Sequence, residues 1–237
     1  HVLVAANLTP STLSLPSLLK LSEVKTIFHE FGHALHSLLS ECKYASLSGT
    51  QVYRDFVELP SKIMENWITQ KDCLLLFARH HETDEPIPEE LIEGIIAAKK
   101  YNAGISMLGQ LRLSILDMAW HSADPSGIED ISSFEDGVVS RTRLFPKIDG
   151  TSISCKFNHI FSGGYSAGYY SYKWSEVLDA DAFELFKMNG IFDQETAARF
   201  RECILIKGNT QHPMELYRAF LGREPDAGAL LERQGLT

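Results

Sequence analysis

Three residues near the start of the chain, His29, Glu30 and His33, have the spacing of a metal-dependent hydrolase. They form a His-Glu-x-x-His motif. In a helix, residues four positions apart lie one turn apart on the same face, so the two imidazoles could hold one Zn²⁺ at two corners of a tetrahedron. The glutamate between them could then accept the proton of a metal-bound water. The motif predicts part of a zinc peptidase site.

The motif is short enough to occur by chance, and the alternative is a core helix whose histidines bond to backbone groups or water. The neighbouring residues favour the metal interpretation. They are uncharged, so the helix is expected to be buried on most sides, as a site that excludes bulk water requires. These neighbours are Thr26, Ile27, Phe31, Gly32, Ala34 and Leu35.

A peptidase zinc normally takes three protein ligands and leaves one position for water. The third histidine of the metzincin motif would fall at Leu39, which excludes that class. His36 lies near the same helix face, but a packed or hydrogen-bonded histidine explains it better than a ligand does. A carboxylate from a second helix is the remaining option.

The best candidate for this third ligand is Glu58, which lies between two aliphatic residues. A buried carboxylate needs a partner, and a dication is a strong one. The alternative is an ion pair of Glu58 with Arg54 or Lys62 at helical spacing. Asp55 and Glu65 could orient the imidazoles as hydrogen-bond acceptors, although a solvated helix face explains these two more simply.

A second candidate site is a stretch rich in glycine and tyrosine. Its three phenols are four and three positions apart, so the helix predicted here would carry them on one face. Neutral donors of this kind could stabilise a tetrahedral oxyanion, and the glycine pair permits a close backbone approach or a hinge. Plain core packing is the alternative. The residues are His159, Gly163, Gly164, Tyr165, Tyr169 and Tyr172.

Composition excludes several partners. The chain has 237 residues, and its formal net charge is −9, from 22 Lys and Arg against 31 Asp and Glu. This charge argues against nucleic acid as a partner and against a polybasic membrane patch. No apolar run approaches the ~20 residues of a membrane span. The four cysteines form no C-x-x-C pair, which favours free thiols in a reducing compartment, and we expect a cytoplasmic protein.

The pattern of apolar residues predicts a mostly α fold with a very small β component, without a linker that would divide it. A short strand is expected at 2–5. The chain begins with His1, and this strand reads as if entered midway, so a fragment of a longer protein is expected. Helices are predicted at 22–40, 55–81, 88–121 with breaks at Gly104 or Gly109, 128–143, 165–188, 193–208, 213–221 and 225–234.

Three segments, 26–36, 55–61 and 159–172, closely resemble the thimet oligopeptidase family of zinc metallopeptidases. They read Thr-Ile-Phe-His-Glu-Phe-Gly-His-Ala-Leu-His, Asp-Phe-Val-Glu-Leu-Pro-Ser and His-Ile-Phe-Ser-Gly-Gly-Tyr-Ser-Ala-Gly-Tyr-Tyr-Ser-Tyr. The resemblance extends from Asn7 to Thr237. It implies a helical zincin-type catalytic lobe, in which residues 1–237 are the single C-terminal catalytic part of a longer metallopeptidase.

The resemblance also implies roles for individual residues. His29, His33 and Glu58 would be the ligands of one Zn²⁺ per chain, and Glu30 the general base. The glycine- and tyrosine-rich stretch would bind the substrate backbone and stabilise the oxyanion. The residues implied are His159, Tyr165 and Tyr172, with Tyr169 and the glycine pair beside them. The stretch around Gly49 would correspond to a flexible loop over the cleft.

The substrates implied are short peptides. The segments 49–58 and 199–209 look most like the peptidyl-dipeptidase branch, whose members release dipeptides from free C-termini, and the endo-acting oligopeptidase A branch is the runner-up. Family members are much longer, so the missing N-terminal portion would supply one wall of the substrate channel. Two other classes stay open: an inactive zinc-binding or interaction fragment, and a helical domain without metal.

Overall fold

Helices form nearly all the regular structure of the computed structural model, which describes residues 1–237. The prediction of a mostly α protein is confirmed. The only β feature is an isolated bridge between Arg79 and Pro86. The predicted strand at 2–5 is wrong, because a strand requires hydrogen bonds from a neighbouring strand and no segment pairs with this one.

The α-helices are numbered in chain order, and no helix is both long and apolar enough to cross a membrane. A π-helical turn, Arg201–Leu205, follows the ninth helix. The helices are α1 (Leu21–Leu38), α2 (Leu59–Met64), α3 (Lys71–Phe77), α4 (Glu89–Lys100), α5 (Ala103–Ser122), α6 (Ile131–Val139), α7 (Asn158–Phe161), α8 (Ser171–Asn189), α9 (Gln194–Phe200), α10 (Pro213–Leu221) and α11 (Gly228–Gln234).

The chain forms two compact units. The first contains residues 1–101, 175–235 and 237, and the second contains residues 102–174 and 236. In the first unit, aromatic rings pack edge to face around Phe186, with Trp67 at 5.0 Å and Phe200 at 6.3 Å between ring centroids. The core of the second unit is a smaller cluster around Leu116, Phe157 and Ile160.

The helix predicted at 55–81 is broken in the structure. It consists of α2, a 3₁₀ turn at Trp67–Thr69, and α3. Pro60 lies in the first turn of α2, where helical N–H groups have no intrahelical partner and a proline nitrogen has no hydrogen to leave unpaired. At the other end of α2 the Asn66 amide donates to the Ile63 carbonyl at 3.1 Å and to Asp179 at 2.8 Å, and these side-chain bonds replace continued helical bonding.

The predicted helix at 88–121 is also interrupted, but not at a glycine. Pro88 precedes α4 as predicted. The break falls at Tyr101 and Asn102, where Asn102 has φ +55°, a left-handed conformation that asparagine tolerates better than most residues. Gly104 and Gly109 lie inside α5. The expected breaks at these glycines are therefore wrong, since a glycine weakens a helix without ending it.

The contact between α1 and α2 is close because Gly32 has no side chain. A Cβ atom at this position would lie 2.3 Å from the Pro60 carbonyl oxygen and 2.5 Å from the Ser61 Cα. These neighbours are backbone atoms, which cannot move aside as a flexible side chain could. Gly32 therefore sets how near α2 lies to the histidine-bearing helix.

We expect Gly32→Ala to destabilise the protein, because the added methyl group forces α1 and α2 apart. Overpacking of this kind costs about 1–3 kcal/mol. The control is Gly94→Ala in α4, where a Cβ meets nothing within 4 Å; it should instead stabilise by about 0.5–1 kcal/mol. Urea denaturation in the presence of a chelator measures both. Equal effects of the two substitutions would contradict the close-contact interpretation.

Candidate active site

Helix α1 presents the two histidines of the motif to the same side. The helix begins at Leu21, and its first turn is fixed by Glu23, whose carboxylate accepts a hydrogen bond of 2.8 Å from the Lys20 N–H. The N-cap is Lys20, so the helix begins one residue before the predicted start at residue 22. The rings of His29 and His33 meet edge to face, with centroids 5.0 Å apart.

Glu58 brings a carboxylate to both imidazoles. Its Oε2 lies 3.4 Å from Nε2 of His29 and 3.4 Å from Nε2 of His33. The three ligand atoms all lie within 4.8 Å of one another. Glu58 immediately precedes α2, so the close contact of that helix with α1 places its side chain here. The alternative of an ion pair with Lys62 is not what forms, since Lys62 lies near Glu65 and Glu176 instead.

The Glu58 carboxylate is buried, with 9% of the residue exposed. Burial alone would raise its pKa, but the two imidazoles and a hydrogen bond of 3.0 Å from the Ser61 hydroxyl outweigh this and lower the pKa below its ordinary value. The side chain is therefore held as an anion. A buried anion between two imidazole nitrogens fits the binding of a cation.

Glu65 orients one of the two imidazoles. The Nδ1 of His29 lies 2.8 Å from Oε1 of Glu65, and Lys25 lies 2.9 Å from the other oxygen. Burial opposes ionisation of Glu65, but His29, Lys62 and Lys25 lower its pKa to about 2. With Nδ1–H donated to this carboxylate, Nε2 of His29 carries the free lone pair. A solvated helix face is therefore the wrong interpretation of Glu65.

These residues fit the coordination chemistry of Zn²⁺. Two imidazole nitrogens and one carboxylate oxygen are a known ligand set of catalytic zinc. Tetrahedral bonds of about 2.0–2.1 Å place ligand atoms about 3.4 Å apart, which is the distance from Oε2 of Glu58 to each histidine nitrogen. The hydrogen bond from His29 to Glu65 is the outer contact that such ligands usually have.

Glu30 and His36 differ sharply in their surroundings. Glu30 is partly exposed, and no hydrogen bond or ion pair holds its carboxylate. His36 is fully buried, and neither ring nitrogen has a hydrogen-bond partner. Burial and the nearby His33 lower the His36 pKa to about 4, so its ring is neutral. His36 is thus a packed residue, as expected, without the hydrogen bond that the sequence also allowed.

The glycine- and tyrosine-rich stretch is not the helix that the spacing predicts. Residues 162–170 form turns, and α8 begins only at Ser171. The phenols nevertheless meet, because the turn folds Tyr165 back onto Tyr172, with stacked rings 4.8 Å apart. Tyr169 lies edge to face against Tyr172 at 5.1 Å. The helix prediction for 165–170 was wrong because the Ala167 and Tyr169 N–H groups donate to the Asp117 carboxylate and not to helical carbonyls.

The individual residues of this stretch differ in exposure. Tyr169 is 8% exposed and belongs to the core of the second unit, and burial raises the pKa of its hydroxyl. Tyr165 and Tyr172 are partly buried, and His159, on α7, is exposed. His159 lies edge to face against Tyr169, with centroids 5.8 Å apart. Tyr169 therefore contributes mainly packing, and His159 offers an accessible imidazole.

Glycine is required at Gly163 and at Gly164 for two different structural reasons. A Cβ at Gly163 would lie 2.8 Å from the His159 Cα, so only glycine permits the chain to turn back over α7. Gly164 has φ +80°, a conformation that favours glycine. Gly49, in the predicted loop over the cleft, has φ +55° and packs against Ser37 of α1.

Asp117 is the positioning residue that sequence reasoning missed. It is fully buried on α5, and its carboxylate accepts hydrogen bonds from the Ala167 N–H at 2.9 Å and the Tyr169 N–H at 2.8 Å. His121 lies 2.8 Å from the same carboxylate. Ala167 has φ +52°, so Asp117 holds a strained turn in place. An acid within an apolar helix, followed four residues later by a histidine, was the available signal.

Comparison with known proteins places the chain among peptidases. The model of peptidase family M3 matches residues 1–236. The chain is 41% identical to oligopeptidase A of Escherichia coli, over 93% of the chain and 33% of that protein. It is 40% identical to dipeptidyl carboxypeptidase of the same organism, over 94% and 33%. It is 41% identical to an organellar oligopeptidase A of Arabidopsis thaliana, over 98% and 30%. The chain spans about one third of the length of these relatives.

We expect Asp117→Ala to release the turn that carries Tyr165 and Tyr169, because two backbone N–H groups lose their buried acceptor. The loss of stability should be at least about 2 kcal/mol. Amide hydrogen exchange at Ala167 and Tyr169 should become faster, and Asp149→Ala, at an exposed aspartate, serves as the control. Unchanged exchange at both amides would show that Asp117 does not hold the turn.

Proposed function

Because the chain belongs to peptidase family M3, we propose that it carries the zinc centre of a metallopeptidase that hydrolyses short peptides. The observation that carries this proposal is the convergence of His29, His33 and Glu58, with each histidine Nε2 3.4 Å from the same carboxylate oxygen. The proposed ligands are these three residues, for one Zn²⁺ per chain. A fourth position would be left for water.

Glu30 is the proposed general base. Bound Zn²⁺ would polarise the scissile carbonyl and make a water molecule more acidic. The Glu30 carboxylate would accept a proton from the attacking water and pass it to the leaving amine. Its partial exposure and the absence of any ion pair support this role, since a carboxylate that is already bound would have to break that contact first.

Oxyanion stabilisation is proposed for His159, Tyr165 and Tyr172. These side chains can donate a hydrogen bond without carrying a full charge, and removing one such donor typically costs ~10²–10³ in rate. Gly163 and Gly164 shape the turn in front of them. Tyr169 lies in the core, so we propose that it supports Tyr172 by packing and contacts substrate only at its edge.

We propose that the peptidase releases dipeptides from free C-termini. An endo-acting oligopeptidase is the second candidate. The 40% identity to dipeptidyl carboxypeptidase favours the first candidate, and the 41% identity to oligopeptidase A favours the second as strongly. Mass spectrometry of the products from matched peptides with free and amidated C-termini decides between them. A peptidyl-dipeptidase cuts only the peptide with the free C-terminus, and an endopeptidase cuts both peptides.

The rival class is a zinc-binding or interaction fragment without activity. A structural site would close its fourth position with a protein side chain, whereas the cluster here offers three residues that could bind a metal. Metal analysis combined with a peptide-cleavage assay and a chelator control separates the classes. We also propose a reducing compartment such as the cytoplasm, since Cys42, Cys73, Cys155 and Cys203 are all free thiols.

We expect Glu58→Ala to weaken zinc binding more than Glu65→Gln does. Loss of an outer hydrogen-bond partner costs roughly 10–100-fold in affinity, and loss of a direct ligand should exceed this. Competition with a chromophoric chelator measures both variants on the chain itself. Wild-type affinity in Glu58→Ala would remove Glu58 from the ligand set.

We expect Glu30→Gln to keep zinc and lose turnover. The amide cannot accept the proton, so the rate should fall by at least about 10². The measurement is peptide hydrolysis by the zinc-loaded protein, with metal content as the control for an intact centre. Most of the wild-type rate in a zinc-loaded Glu30→Gln protein would disprove the proposed base.

A further inference from the structure

A cavity of about 420 Å³ lies in the first unit, bordered by α1, α4, α8 and α11. This volume is within the range of about 300–1,000 Å³ that small-molecule sites occupy. Apolar groups supply more of its wall than polar groups do, with Leu21, Ile68, Ile95 and Ala98 among them. None of the three proposed zinc ligands lines the cavity, although Glu65, which orients His29, is part of its wall.

The charged residues of this wall do not balance. Four are cationic and three are anionic: Lys25, Lys62, Lys99 and Arg233 against Glu65, Glu176 and Asp179. In a chain of net charge −9 this is a local excess of positive charge. Three of the four cations have carboxylate partners, because Lys25 and Lys62 pair with Glu65 and Arg233 pairs with Asp179. The remaining cation is Lys99.

Lys99 forms no ion pair within the unit. Its one hydrogen bond is a long contact of 3.5 Å from Nζ to the Thr69 hydroxyl. Its side chain is exposed along the concave wall, where surrounding protein atoms and the Arg233 guanidinium lower its pKa to about 8 against the opposing effect of the Asp179 and Glu65 carboxylates. No carboxylate lies within ion-pair distance of the Lys99 ammonium, and the net effect of its surroundings disfavours the charged form. An anion bound in the cavity would therefore stabilise the ammonium.

We propose that this cavity binds a small aliphatic carboxylate, whose charged end accepts hydrogen bonds from Lys99 and whose tail packs against the apolar wall. An ammonium is a compact donor that suits a carboxylate oxygen. The apolar part of the wall favours a short hydrocarbon tail over a bare inorganic anion. The cavity shares Glu65 with the surroundings of the proposed zinc centre, but the proposed binding requires neither metal nor peptide hydrolysis.

The test is calorimetric titration of the chain with 3-methylbutanoate in the presence of a chelator. Saturable binding with one molecule per chain is expected. Lys99→Met should weaken it at least about tenfold, since one charge-assisted hydrogen bond is lost. The matched control is Lys100→Met, on the same helix and outside this cavity's wall, which should bind as the wild type does. Unfolding midpoints of both variants establish that they fold.

Two further ligands test the chemistry of the occupant. The neutral 3-methylbutanamide should bind at least about tenfold more weakly than the carboxylate, because it brings no charge to Lys99. Inorganic phosphate should also bind more weakly, because it has no tail. Equal binding by the amide, equal binding by phosphate, equal binding to Lys99→Met, or no saturable binding by the wild type would each overturn the proposal.

Discussion

The close approach of α2 to α1 is the constraint on which the candidate metal centre depends. At Gly32 the backbone of one helix lies where a Cβ of the other would be, 2.3 Å from the Pro60 carbonyl oxygen. Glu58 immediately precedes α2, so this approach sets the distance of its carboxylate from the histidines. A side chain at position 32 would widen the gap, and a ligand set with atoms about 3.4 Å apart tolerates little widening.

The second determinant is electrostatic. Glu58 and Glu65 are both largely buried, and burial by itself disfavours their charged forms. Glu58 stays ionised because two imidazoles and the Ser61 hydroxyl face it, and Glu65 stays ionised because His29, Lys25 and Lys62 do. The two carboxylates contact different nitrogens of His29, since Glu58 faces Nε2 and Glu65 faces Nδ1. This arrangement fixes both the orientation of the ring and the nitrogen that is free to bind a metal.

In the second unit two buried carboxylates play the corresponding structural role. Asp117 accepts the N–H groups of Ala167 and Tyr169 and so stabilises a turn in which a non-glycine residue has positive φ. Glu135 acts similarly nearby, accepting bonds from the Ile153 and Ser154 N–H groups. Both acids are buried, and each replaces helical or sheet bonding with side-chain bonding.

The sequence by itself determined the helical class and the family, and it indicated the three proposed ligands through a histidine pair one turn apart and motifs of fixed order. It could not locate the break at Asn102 or the turn at 165–170, and it favoured the wrong surroundings for Glu65. These features depend on partners far along the chain, such as Asp179 for Asn66 and Asp117 for Tyr169. Only the tertiary structure brings such partners together, since local periodicity contains no information about which distant side chain will satisfy a buried polar group.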